Sequence, residues 1–375
     1  MTAFALPAGE FALAIRRASI AVDRKAPIPV LLCLRIEAVA NAVKVGGSNL
    51  FLHAAVLAPA VVTAQGVVAV DQAQLHGIVS RLPPEKTVKC SVSDSHLVLK
   101  CGGSKYQLTL WEHSAFPAMA KPGKDVPLTM KAQPLSRLLS AAGVSMLLDD
   151  QRPHLSGVAL VWGNPAVSAN ATDSMRLSRI TAEYTGKSAG KVFLPYLAAL
   201  AIGKFCESLD AATDVNVLAS GTHVHCWSLT AGLACKLVGE VTMDYERLIP
   251  LVEIVRNAAT VDRAALIAAI ARLRVSSENA AVTFAWEPVD DKLVLTVATP
   301  GGTGREVVRG TMIGSGNVLL SSVLLTDLLA SCDGETATLR VRDADSPVLL
   351  CDTDATSAQG LVCVVMPCKI PGTGT

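Results

Sequence analysis

His223 and His225, spaced i, i+2 in THVHCW, are the most metal-like feature of this 375-residue sequence. On a strand both rings face one way and Cys226 faces the other. That gives two ligands where zinc sites use three or four protein groups. No third ligand stands at a matching spacing, so the pair reads as structural. Asp149–Asp150 and Asp290–Asp291 are the paired carboxylates that acid–base chemistry would need. Adjacent side chains on a turn diverge, and PVDDKLVL has a hairpin pattern, so both pairs read as solvated turns. The glycine clusters KVGGSN, KCGGSK and PGGTGR lack the Lys–Ser/Thr ending and strand-to-helix setting of a phosphate loop. They read as hairpin turns. Neither HExxH nor a nucleophile–base arrangement is found. The expectation is a chain without catalysis, cofactor or metal. The opposing hypothesis, a Cys/His-dependent hydrolase or metal enzyme around Cys226, predicts bound zinc or a reactive thiol.

The elements that would position any site form a repeat. FALAIRRASIAV (11–22), LSRLLSAAGVSM (135–146) and LIAAIARLRVSS (266–277) each carry apolar residues at i, i+4, i+7 and i+9, with Phe11, Leu135 and Leu266 in register. The first three positions make one helical face. A second helix is expected over 67–82, 192–206 and 318–332, aligned through Val70, Leu194 and Leu320, with Pro195 in the first turn of its copy. Alternating segments follow each one (TVKCSVSDSHLVLKC, DVNVLASGTHVHCWS, TATLRVRDADSPVLLC) and read as hairpins. Length alone suggests more than one domain. The repeat predicts modules at 1–122, 126–249 and 250–370, joined near KPGKDVP and Asp244–Pro250, with 371–375 as a flexible tail.

The chain is 51% hydrophobic but only 4% aromatic, so the core is expected from Val, Leu, Ala and Ile. The longest apolar run, Val192–Ile202, is about half a membrane span. The N-terminal basic pair follows the apolar part, the wrong order for a signal peptide. A cytoplasmic protein is expected, with its ten cysteines reduced. Net charge is +1, yet it is unevenly spread. Residues 1–122 hold 12 Lys+Arg against 7 Asp+Glu, the middle third 11 of each, and 250–375 hold 10 against 14. A basic head and an acidic tail favour head-to-tail contact between copies.

NATDSMRLS (170–178), the terminal VVMP and VDRKAPIPVL (22–31), in a chain of three repeats, resemble the bacterial sliding clamp, the beta subunit of DNA polymerase III. The resemblance implies an α+β fold of three clamp-type modules, each with two helices packed on antiparallel sheets. It implies a head-to-tail homodimer ring whose helices line the hole, and a processivity factor that threads double-stranded DNA without reading it. Topology then supplies retention, so contacts need only be weak and phosphate-directed. The implied partners are the DNA polymerase III alpha subunit, the clamp loader and repair or translesion polymerases, each bringing a short peptide. Residues matching the family's peptide groove are Leu155, Thr172, Ser174, Met175, Arg176, Leu177, Met243, Arg247, Leu248, Val364 and Met366. Arg24, Arg152 and Lys204 match basic DNA-contacting positions. Lys25 and Arg137, with Arg17, are added from helix placement. Lys105 and Tyr106 match one edge of the dimer interface, and Arg274 and Val275 the other.

The sequence also departs from the family. Ser174 and Met175 stand where Gly and His are common, Met243 where proline is usual, and Cys368 where a longer apolar residue is common. Methionine adapts its shape, so a specialised paralogue, with restricted partners or inhibitor resistance, is a second reading of the same fold. PGGTGREVV replaces a glutamate-rich junction segment and keeps only Glu306. Arg274 replaces an apolar interface residue. Asp71–Gln72 and Tyr196–Leu197 occupy positions that tend to be basic.

Overall fold

The computed structural model describes residues 2–149, 151–239, 243–276, 281–299, 302–351 and 360–368. The same order of elements occurs three times, with one additional short strand, Val61–Ala64, in the first copy. A first strand (Ala3–Pro7, Leu128–Lys131, Asn257–Asp262) leads into a helix: α1 (Ala8–Ala18), α3 (Ala132–Gly143) and α5 (Arg263–Leu273). Three strands follow: Cys33–Val39, Ala42–Ser48, Leu52–Pro59; then Gly157–Gly163, Ala166–Thr172, Arg176–Glu183; then Ala281–Trp286, Lys292–Thr299, Gly302–Ile313. A fifth strand (Gly66–Asp71, Gly190–Pro195, Gly316–Ser321) enters a second helix: α2 (Gln72–Val79), α4 (Tyr196–Glu207) and α6 (Ser322–Ser331). Three closing strands complete each copy: 87–93, 96–101 and 104–111; 214–220, 223–227 and 231–236; 336–341, 348–351 and 360–365. All sheet pairings among the described residues are antiparallel.

The second helices start later than the apolar runs suggest. Val67–Asp71, Val192–Pro195 and Val318–Ser321 are strand, and the helices begin at Gln72, Tyr196 and Ser322. Capping sets the boundary. Asp71 accepts from Gln74 N at 2.8 Å and Ser321 from Leu324 N at 3.4 Å. Pro195 is the last residue of its strand, opposite Gly157, and not part of the helix. Gly46 and Gly47 also differ from expectation. They lie inside a strand, where a Cβ at Gly47 would collide with the Ala18 carbonyl oxygen, so the glycine admits the end of α1. Gly102 (φ 58°) and Asp291 (φ 43°) do sit in turns. Asp150, Gly301, Ile370 and the 371–375 tail lie outside the described residues.

The chain forms two compact units: residues 1–136 with 201–239, and 137–200 with 240–375. Among the described residues each unit holds one sheet, of 13 and 12 strands respectively. In the first unit α1 buries Phe11 and Ile15, with Phe4 edge-to-face on Phe11 at 6.0 Å. In the second unit α5 buries Leu266, Ile270 and Leu273. Apolar burial at these helical spacings is the main term holding helix to sheet. Each sheet joins two of the three copies in the same way. Leu52–Val56 pairs with Ala231–Cys235 in the first unit, and Arg176–Thr181 pairs with Gly360–Val365 in the second.

Candidate partner groove and contact surfaces

TDSMRL forms a tight turn because its side chains satisfy its own amides. Asp173 Oδ1 accepts from Met175 N and Arg176 N, both at 2.9 Å. Thr172 Oγ1 accepts from Ser174 N at 3.2 Å and donates to the Arg176 carbonyl at 2.7 Å. Short Asp and Thr side chains suit this task. Ser174 takes φ 76°, a left-handed conformation that favours glycine. The turn aims the Arg176 guanidinium at two carboxylates: Nε to Asp173 Oδ2 at 3.0 Å and Nη1 to Asp327 Oδ2 at 2.9 Å. Asp327 is on α6, so Arg176 braces the turn against that helix.

The apolar end of the chain lies beside this turn. Leu177 faces Val364 across the strand pair, and the Met366 amide donates to the Met175 carbonyl at 2.8 Å. Leu177 and Val364 are buried with Leu349, Cys351, Tyr245 and Val255, and Met243, Ile249 and Val252 pack against them. Segment 243–255 thus covers that part of the sheet, and burial pushes the Tyr245 phenol up to about 12. Residues two apart on a strand share a face. The buried Leu177/Val364 pair therefore continues into Met175 and Met366, which are 47% and 37% exposed. The covering segment leaves Leu248, Leu251 and Ile254 exposed. It is tied down by Arg179–Glu246 at 3.2 Å, and its exposed Arg247 pairs with Asp244 at 2.9 Å.

All the expected groove residues lie in the second unit. Thr172 to Leu177, Met243, Val364 and Met366 come together directly, and Arg247 and Leu248 share the covering segment. Leu155 is buried outside that cluster, in the turn before Gly157–Gly163, at the Thr172 end of the hairpin. Sequence reasoning missed Tyr245, Ile249, Val252 and Val255. Their spacing of three to four residues was the available signal. It also missed Asp327, which only tertiary structure brings to Arg176. The arrangement is an apolar strip with adaptable thioethers and a polar turn at one side, suited to holding apolar side chains of an extended peptide.

Residues 2–120 match the family described as DNA polymerase III beta subunit, N-terminal domain. The beta sliding clamp of Caulobacter vibrioides is 25% identical over 364 residues, covering 93% of this chain and 95% of that one. The beta sliding clamp of Pseudomonas aeruginosa is 23% identical over 234 residues, 61% of this chain, and the match spans 63% of that relative's length. Among solved structures, a sliding clamp from P. aeruginosa bound to griselimycin superposes with TM-score 0.90 at 19% identity, over 98% of this chain and 100% of that one. The Bacillus subtilis sliding clamp gives 0.89 at 18%, over 98% and 99%. The likeness in sequence is to bacterial beta sliding clamps, and the fold is the one they share.

Arg24 and Lys25 are exposed in the turn after α1, and Lys204 is exposed on α4. Arg152 is exposed in the turn before Leu155. Arg137 is not free: Nε bonds to Asp333 at 2.7 Å and Nη2 to the Ser331 carbonyl at 2.6 Å, at the C-terminus of α6. Arg17 likewise bonds to the Ser208 carbonyl at 2.6 Å, just past α4. A guanidinium there meets the negative end of a helix. Both guanidiniums are thereby engaged within the chain.

Lys105 and Tyr106 sit on the strand Ser104–Trp111, and Arg274 and Val275 in the 3-10 turn that ends α5, with Val275 88% exposed. Glu306 is held bidentately by Arg272 at 2.8 and 2.7 Å, and these hydrogen bonds keep its carboxyl below the ordinary value. His223 and His225 do face the same way, ring centroids 6.2 Å apart. Among the described residues no group of three metal-ligating side chains is assembled. Cys226 is fully buried, and desolvation, then neighbouring Cys206 and Cys235, push its thiol up. A thiol kept protonated in a core is no nucleophile, which disfavours the hydrolase hypothesis.

Proposed function

We infer that this chain is a DNA sliding clamp: a processivity factor, without catalysis of its own, that encircles duplex DNA and tethers a polymerase. The observation that carries the reading is the recurrence of one strand joint. Leu52–Val56 with Ala231–Cys235, and Arg176–Thr181 with Gly360–Val365, are equivalent pairings between successive copies of the repeat. The third pair of equivalents is Ser104–Thr109 and Gly302–Arg309. Each pairs on one side only, with 96–101 and 292–299 respectively, and neither has a strand on its other edge among the described residues. Open edges invite pairing with another chain. A second copy offers each edge its missing mate, which gives a head-to-tail homodimer.

The DNA contacts we assign are Arg24, Lys25, Arg152 and Lys204, with Arg137 competing between phosphate and Asp333. The strip from Leu177 and Val364 to Met175 and Met366 is assigned as the groove for partner peptides. Those peptides come from the DNA polymerase III alpha subunit, the clamp loader and other polymerases, in the cytoplasm. Sedimentation equilibrium tests the ring: a mass of twice the 39.1 kDa chain is expected. A stable monomer at micromolar concentration would leave nothing to encircle DNA. Titration with the C-terminal peptide of the replicative polymerase tests the groove. Micromolar binding weakened by Met366→Ala is expected, and no binding to any replicative peptide refutes it.

A further inference from the structure

The open end of the groove is made of two thioethers. The hydrogen bond from Met366 N to Met175 O places the two residues opposite each other at the end of the strand pair. Directly opposed residues project to the same face with Cβ atoms about 5 Å apart. This face is the one that buries Leu177 and Val364 two residues further along. Both methionines are accessible. The other described methionines (Met119, Met130, Met146, Met243, Met312) are covered wholly or in part. Nine of the ten cysteines are buried. The tenth, Cys368, is half-buried, and desolvation raises its thiol, which leaves little reactive thiolate.

We propose that Met175 and Met366 form a reversible oxidation site that switches off peptide binding in the groove. The oxidant class is hypohalous acid. The thioether sulfur gives up two electrons to hypochlorous acid and gains its oxygen, and chloride and a proton leave. Each methionine becomes a sulfoxide, a polar and chiral group where an apolar one stood. Partner side chains that pack on the pair then face an unmatched dipole. A thiol-dependent sulfoxide reductase returns the oxygen as water and restores the apolar end. The proposal rests on the groove reading given above.

The test uses the full-length dimer and a fluorescent peptide from the C-terminus of the replicative polymerase alpha subunit. Protein is treated with graded hypochlorous acid, mapped by mass spectrometry and titrated. The expected result is an affinity loss of about tenfold, the fold-change of one uncompensated polar group in an apolar contact. The loss tracks sulfoxide at Met175 and Met366 and reverses with reductase. Met175→Leu/Met366→Leu, compared with its own untreated affinity, keeps that affinity over the same oxidant range. Cys368→Ser responds as the parent does. Sulfoxide at both positions with unchanged affinity overturns the proposal, as does equal loss in the double-leucine variant. Failure of the untreated protein to bind the peptide instead overturns the groove reading itself.

Discussion

Ser174 holds a left-handed backbone, φ 76°, inside the turn at the edge of the proposed groove. A side chain in that region costs about 1–2 kcal/mol through Cβ–carbonyl crowding. Replacing Ser174 with Gly removes that cost and adds unfolded-state freedom worth about 0.4–1 kcal/mol in the other direction. The net expectation is stabilisation of about 0.7 kcal/mol. Ser174→Ala is the control, because alanine keeps the Cβ while removing the hydroxyl. The turn's hydrogen bonds come from the Ser174 amide and from Thr172 and Asp173, so neither substitution removes them. Thermal unfolding followed by calorimetry should rank Gly above Ala. The transition containing the second unit should rise by about 2–4 °C per kcal/mol for a region of that size. A glycine variant no more stable than the alanine variant would show that the turn stores no backbone strain.

Other consequences follow from the same structure. Arg176→Ala leaves the mostly buried Asp173 without its cation and should cost about 2 kcal/mol in urea unfolding, while Asp327→Ala, at a half-exposed carboxylate, should cost under about 1 kcal/mol. Leu177→Ala opens a cavity under segment 243–255 and should cost about 3 kcal/mol, with weaker peptide binding by the same titration. Acid should weaken the first unit. His53 and His225 are held below the ordinary 6.5, by desolvation first and the His223 charge second. The unfolded chain therefore takes up protons that the folded one refuses. Stability is full above about pH 6.5 and falls as pH drops below it. Guanidinium midpoints at pH 7.5 and 5.5 should differ less in His53→Gln/His225→Gln than in the parent.

The helical faces built on Phe11, Leu135 and Leu266 and all three closing hairpins were legible in sequence, because period and alternation reflect burial directly. The second helices were read too long. VVAV, VFLP and VLLS are apolar on both sides, and such runs do not distinguish strand from helix until a cap such as Asp71 or Ser321 is recognised. That Leu177 and Val364 lie together was legible only through the resemblance, since each taken alone is ordinary core. Asp244–Pro250, within segment 243–255, was read as a joint. Its packing role depends on a sheet formed by residues 176–181 and 360–365, which no local pattern joins. The engagement of Arg137 by Asp333, 196 residues away, has no local signal either.

The proposed function has this protein hold DNA by enclosing it. The direct measurement loads the protein with a bacterial clamp loader onto nicked circular plasmid, removes free protein by gel filtration and then linearises half of the sample. The proposal predicts that the protein stays with the circle through the column and is lost from the linear DNA by sliding off its ends. Equal retention on circular and linear DNA, or none on the circle, would contradict it.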